Sequence, residues 1–219
     1  MRMLSARKIM WLSIAVNLSL VIFFIYRRVT AKEFHKDMDL WNESRNDVFQ
    51  ALPLDSNSIV FIGTSLTEGF PLNELYPTLP VKNRGVTGNR ACHILSRLKT
   101  MQGPFKKIFI EAGTNDLWYP EQEFYHDFTE VINLSRQKSK EVYIQSVLPV
   151  SDSVGKQDVV NRFNAWIRRK CDSLNIEFID LESNLTRNGM LDKGLSYDGI
   201  HLNGRGYQRW NKLIIGNMK

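Results

Sequence analysis

The sequence predicts a three-layer α/β sandwich, a five-stranded parallel sheet between helices, preceded by an N-terminal transmembrane helix. Three observations predict it: an uncharged run over residues 9–26, a regular alternation of short apolar runs with longer amphipathic stretches after Pro53, and a length of 219 residues. That length suits one domain with an appendage, large enough to bury a full core without staples. Parallel strands need long crossover connections, and the amphipathic stretches supply them as helices.

The first element is "IMWLSIAVNLSLVIFFIY", Ile9 to Tyr26, whose 18 uncharged residues approach the roughly 20 that a helix needs to cross a hydrocarbon core. Arg2, Arg7 and Lys8 precede it, Arg27, Arg28 and Lys32 follow it, and Trp11 and Tyr26 stand near its ends, where amphipathic rings suit the headgroup region. A spanning anchor, a cleaved signal peptide and a buried core helix compete for this segment. The run exceeds the about 7 to 15 residues of a signal core, and Arg27 and Arg28 interrupt the approach to the small-residue site Val29-Thr30-Ala31, so the anchor is preferred. The basic flanks tie, so the positive-inside count does not orient it. A short stub before a large domain suits an N-in, C-out, single-pass arrangement, which as a hypothesis puts the domain in the periplasm or outside the cell; an inactive C-terminal fusion to an export-dependent reporter would count against it.

The expected domains are thus a cytoplasmic stub and anchor over 1–28, a helical stalk over 29–53 and an α/β domain over 54–219. The stalk is charged, carries Phe34, Trp41 and Phe49 at helical spacings, and ends at Pro53. Beyond it, "SIVFIG", "PVKNRG", "KKIFIEAG", "EVYIQSVLP" and "IEFIDL" read as five strands. The helices between and after them run approximately from Arg90 to Met101, Gln122 to Gln137, Val159 to Leu174 and Gly204 to Ile215.

Charge excludes one class of function. The formal net charge is +6, yet residues 1–32 hold six basic residues and no acid, which leaves 23 basic against 23 acidic residues in everything after them. A neutral domain lacks the footprint of a nucleic-acid binder. Cys92 and Cys171 lie far apart, with no ligand spacing for a metal and no dithiol motif. Their amphipathic surroundings fit small buried apolar residues.

In open α/β sheets ligands bind beyond the carboxyl ends of the strands. Gly63-Thr64-Ser65 follows the first apolar run, Arg84-Gly85 the second, and Gly113-Thr114-Asn115-Asp116 the third. Ser65 is placed to expose its hydroxyl at the sheet edge, although on "GTSLTEG" alone a helix-capping serine is the stronger reading. Thr67 stands where a G-x-S-x-G elbow would need its second glycine. In "YDGIHLNGRGY" Asp198 precedes His201 by three residues, so a turn lets the carboxylate hold one imidazole nitrogen while the other faces Ser65. The alternative is a surface turn with a capping Asp and an idle His. His35, His93 and His126 lack a comparable carboxylate, which leaves His201 as the base. Gly85, Asn115 and the Ser65 N–H are candidate oxyanion donors, although Gly85 and Asn115 taken singly are ordinary turn residues.

"FIGTSLTEG", "NRGVTGN", "EAGTNDLW" and "YDGIHLNGRGY" occur in that order across residues 58 to 215, and in this the chain resembles the SGNH or GDSL-type hydrolases. The second and last blocks look most like the branch holding platelet-activating-factor acetylhydrolase catalytic subunits and bacterial sugar O-acetylesterases. The resemblance implies a flavodoxin-like sheet, a triad of Ser65, Asp198 and His201, an oxyanion hole of Ser65, Gly85 and Asn115, small acyl esters as substrates, and no metal or cofactor. Two departures stand out: Thr64 occupies the position where the family usually has Asp, and Asn89-Arg90 replaces a frequent Asp-Thr.

The expected activity is hydrolysis of small acyl, chiefly acetyl, esters on a carbohydrate through an acyl-enzyme on Ser65. A lipid-directed esterase or lysophospholipase, and a catalytically silent membrane-anchored carbohydrate-binding domain, are the alternatives. Asn89, Trp118 and Tyr197 are candidate substrate contacts, and Phe70 and Tyr119 are either pocket or packing residues. The partners expected are an acyl ester and a membrane, without nucleic acid.

Overall fold

The computed structural model describes residues 6–219, divided between Ser44 and Arg45 into two compact units. One helix, α1 (Ala6–Ala51), runs through the expected boundary between anchor and stalk, and its last turns from Arg45 onward belong to the second unit. Residues 1–5 of the expected stub lie outside the described residues. Among the described residues no helix is long and apolar enough to cross a membrane. The transmembrane span expected over residues 9–26 is therefore not supported. Of the side chains described within it, Trp11 and those of Val16 to Tyr26 are exposed; the side chains of residues 9, 10 and 12–15 lie outside the described residues.

The second unit is built on five parallel strands, and each is a short apolar run of the sequence. After α1 come β1 (Ile59–Gly63), two single-turn helices α2 (Ser65–Glu68) and α3 (Leu72–Leu75), β2 (Val81–Gly85), α4 (Ala91–Thr100), β3 (Phe105–Ile110), α5 (Glu121–Lys138), β4 (Ser139–Gln145), α6 (Gln157–Leu174) and β5 (Glu177–Ile179). A short helix α7 (Leu181–Leu185), a two-stranded hairpin of β6 (Thr186–Arg187) and β7 (Met190–Leu191), and α8 (Gly204–Ile214) complete the chain. The strand order is β2-β1-β3-β4-β5. This is the flavodoxin-like order, and it puts the reversal of winding at β1, between β2 and β3, where such sheets hold their ligands.

Alternation along the strands sorts side chains onto the two faces of the sheet. Val60, Ile62, Ile108, Ile110 and Ile144 pack with the apolar sides of α4, α5 and α6, among them Ile94, Phe124, Phe128 and Phe163. Ile59, Phe61, Phe109 and Tyr143 pack on the other face with Leu72, Leu181 and Trp210. Phe61, Phe109 and Tyr143 occupy facing register positions on adjacent strands, and their rings stack at 4.4 Å between successive centroids. Phe70 packs against Phe61, Tyr207 and Trp210 and is buried in this core.

Candidate active site

Two short local structures carry the nucleophile and the base. Thr64 follows β1 in extended backbone and caps α2, its hydroxyl accepting from the Leu66 N–H at 3.3 Å. Capping thus falls to Thr64, and Ser65 is the first residue of the turn, half-buried at the carboxyl end of the sheet. At the other end of the chain Asp198 Oδ1 accepts from the N–H groups of Ile200 and His201, at 2.8 and 2.7 Å, which folds 198–201 into a tight turn. Asn203 then caps α8, its side chain accepting from Arg205 and Gly206.

The two turns meet. His201 Nδ1 lies 2.7 Å from Asp198 Oδ2, and His201 Nε2 lies 3.1 Å from Ser65 Oγ, across 136 positions of sequence. Burial works to raise the Asp198 carboxyl, but hydrogen bonds from the His201 ring, the His201 N–H and the Ile200 N–H outweigh it and hold the group at about 2. An ionised carboxylate only accepts, so Nδ1 carries the ring proton and Nε2 is left to accept the serine hydroxyl. The site is open to solvent, with the His201 and Asp198 side chains 30% and 36% exposed.

The remaining histidines are placed differently. His93 Nδ1 accepts the Arg90 N–H within the first turn of α4. His126 does meet a carboxylate, Asp127 at 3.1 Å, on the exposed side of α5. The side chain of His35 lies outside the described residues.

The candidate oxyanion donors divide. Asn115 stands half-buried in the turn after β3, and its amide donates to the Asn89 carbonyl at 2.9 Å, which leaves the second N–H of that NH2 group for another acceptor. Gly85 does not fit the role expected of it, because its N–H donates to Asn83 Oδ1 at 2.9 Å. A Cβ at Gly85 would lie 2.2 Å from the Glu68 nitrogen, so this glycine is needed where α2 crosses the end of β2. Beyond it, Val86 to Asn89 form a turn closed by Asn89 N–H to Val86 O at 3.3 Å, with Gly88 at φ 75°.

Asn89 is not available to a substrate either: it is fully buried and its side-chain oxygen accepts from Arg97. Trp118 and Tyr197 are exposed, and the Tyr197 ring lies parallel to His201 at 5.8 Å. Tyr119 lies beneath the Arg90 guanidinium at 3.7 Å.

Sequence reasoning missed Glu111. This buried carboxyl at the end of β3 accepts from the Thr64 N–H at 3.1 Å, the Thr64 hydroxyl at 2.8 Å and the Thr67 hydroxyl at 3.1 Å, all through Oε2. It grips the residues on both sides of the nucleophile. Burial raises its pKa, against those hydrogen bonds. The available signal was the lone charge in the apolar run "IFIEAG".

The sequence profile of the GDSL-like lipase/acylhydrolase family matches residues 61–209. A curated relative, the N-acylneuraminate cytidylyltransferase of Escherichia coli O18:K1:H7 (strain RS218 / NMEC), is 30% identical over 180 residues, covering 76% of this chain. The chain spans only 40% of that relative's length. Among solved structures, a Streptococcus pneumonia protein assigned by inference as a platelet activating factor superposes with a TM-score of 0.76 at 24% identity, over 87% of this chain and 99% of the other. The acetylxylan esterase Axe2 from Geobacillus stearothermophilus, as a catalytic mutant, superposes with a TM-score of 0.60 at 16% identity, over 76% and 96%. At these identities the two structures speak for the fold alone, while the profile covers most of the chain and all the residues of the Ser65 and His201 turns. The chain belongs to the GDSL-like lipase/acylhydrolase family.

Proposed function

We propose that the chain hydrolyses small acyl esters, acetyl esters of a sugar above all, through an acyl-enzyme on Ser65. The observation that carries the reading is the continuous hydrogen-bonded series Asp198–His201–Ser65 at the winding reversal of the sheet. As the Ser65 Oγ bonds to the ester carbonyl carbon, His201 Nε2 takes its proton and Asp198 stabilises the imidazolium. The tetrahedral intermediate collapses by breaking the bond to the alcohol oxygen, which takes the proton from Nε2. Water, deprotonated by the same nitrogen, then attacks the acyl-serine; the bond between Oγ and the acyl carbon breaks, Oγ takes the proton back from Nε2, and the acid leaves. The oxyanion is met by the Ser65 N–H, the free N–H of the Asn115 amide and the Gly88 N–H. Gly88 replaces Gly85 in this reading because it sits in the positive-φ turn directly before Asn89, whose carbonyl already holds Asn115.

The substrate class is supported by the openness of the site and by the exposed ring of Tyr197 beside His201, which suits the face of a sugar; Trp118, three residues beyond Asn115, is exposed as well. It is also in keeping with an acetylxylan esterase and an enzyme of N-acylneuraminate among the similar proteins. The test is a series of p-nitrophenyl acetate, butyrate and octanoate beside an acetylated xyloside and a lysophospholipid. The highest kcat/KM is expected for acetate, with turnover of the acetylated sugar. A preference for octanoate and the lysophospholipid would overturn the substrate assignment.

A further inference from the structure

A second site stands out along the outer strand β2, in a groove of about 580 Å³ whose lining includes Arg45, Phe49, Glu68, Glu74, Lys82 and Arg84. That volume falls within the roughly 300–1,000 Å³ of small-molecule sites. Three guanidinium groups surround the Phe49 ring: Arg45 at 4.6 Å, Arg84 at 4.8 Å and Arg97 at 5.8 Å from its centroid. Arg97 is held by neutral acceptors, the side-chain oxygens of Asn46 and Asn89 and the Arg84 carbonyl. Arg84 is only 3% exposed, and it uses Nη1 alone, on the Asn83 carbonyl at 3.1 Å. Its Nε and Nη2 are buried and have no hydrogen-bond partner among the described residues.

Those two nitrogens matter together. On a guanidinium the Nε and Nη2 hydrogens point the same way, and side by side they meet both oxygens of a carboxylate or phosphate. Leaving such a charged fork buried and unanswered is costly. Burial, and after it the neighbouring Arg45, lower the Arg84 pKa. Glu68 does not answer the fork: one of its oxygens lies 3.9 Å from Arg45 Nε, and the other accepts from the N–H and hydroxyl of Thr87. Glu74 on the rim is exposed.

We propose that this groove is a second binding site, for a small molecule bearing a carboxylate or phosphate group that sits bidentate on Arg84, with Arg45 and Lys82 around it. Arg45, partly exposed on a flexible stem, moves to admit the acid. Because Glu68 closes α2 and also holds Thr87, the groove backs onto the loops that carry Ser65 and Asn89, while remaining separate from the hydroxyl and imidazole of the ester site.

Thermal unfolding of the full chain in inorganic phosphate, glucose 6-phosphate, glucuronate, neutral glucose and sodium chloride at matched ionic strength tests the proposal without reference to esterase activity. The acids are expected to raise Tm by roughly 5 °C at about 100 times Kd, and neutral glucose and chloride to leave it unchanged. A response to either the phosphates or glucuronate supports the site and identifies its anion. Arg84→Met fills similar volume with an apolar side chain, so it is expected to fold, to melt at or above the wild-type temperature without ligand, and to lose the response. Arg45→Gln, at the partly exposed rim, is expected to need roughly tenfold more acid for the same shift. The proposal is overturned if no acid raises Tm beyond the glucose and chloride controls, or if both variants respond as the wild type does.

Discussion

Glu111 and Thr64 form one device at the residue scale. A threonine at the position of the family's usual aspartate lets both its N–H and its hydroxyl donate to Glu111, and Thr67 adds a third bond from the far side of Ser65. Removing the acceptor frees both ends of the nucleophile turn while leaving the triad intact. Glu111→Ala is expected to lower kcat by about tenfold or more with little change in KM, since small misplacements of reacting groups weigh on the chemical step. Glu111→Gln, which keeps an acceptor of the same shape, is expected to retain most of the rate. Steady-state kinetics with parallel circular dichroism checks both, and equal loss in the two variants would remove Glu111 from the positioning of Ser65. For Asn115→Ala, the loss of one oxyanion donor is expected to reduce kcat by on the order of 10² to 10³. The triad pair Asp198 and His201 was legible because three residues in a glycine-containing turn bring it together locally. Glu111 was not, since its partners lie 44 and 47 positions away and only the fold unites them. The same holds for Gly85 and Asn89, whose polar groups are taken by Asn83 and Arg97.

At the scale of elements, the start of α4 depends on Asp116, which accepts the Ala91 N–H on both oxygens, at 3.2 and 3.3 Å. Burial raises this carboxyl to about 7, against that hydrogen bond and the charge of Arg90. A carboxyl whose folded pKa lies above its unfolded value, about 3.9, contributes stability that is complete below that value and lost as pH rises through about 7. Asp116→Asn is therefore expected to gain stability relative to the wild type between pH 4 and 7, and to hold a constant difference above it, as read by denaturant midpoints across pH. Strands β1 to β5 and helices α4, α5, α6 and α8 were readable because β-branched runs and amphipathic stretches reveal burial without knowledge of partners. The single turns α2, α3 and α7 and the β6–β7 hairpin were not, being too short to show a period. The apolar run over 9–26 was read from local composition alone, and among the described residues no helix is long and apolar enough to cross a membrane.

For the whole molecule, the order β2-β1-β3-β4-β5 brings the ends of β1 and β3, the α8 turn and the β2 turn to one edge, so four distant blocks of sequence serve one site. The stack of Phe61, Phe109 and Tyr143 ties the three central strands beneath it. Phe109→Ala is expected to cost about 3–5 kcal/mol and, at about 2–4 °C per kcal/mol, to lower Tm by roughly 10 °C, as measured by calorimetry. An unchanged melting temperature would show that the stack is incidental to the core.

Labelling with a fluorophosphonate tests the central claim most directly, because the probe forms a covalent bond only with a serine whose proton a base removes. Intact-mass and peptide analysis is expected to find one adduct, on Ser65, lost in Ser65→Ala and slowed by on the order of 10³-fold or more in His201→Gln. A folded wild type that takes no label, or takes it on another serine, would contradict the account.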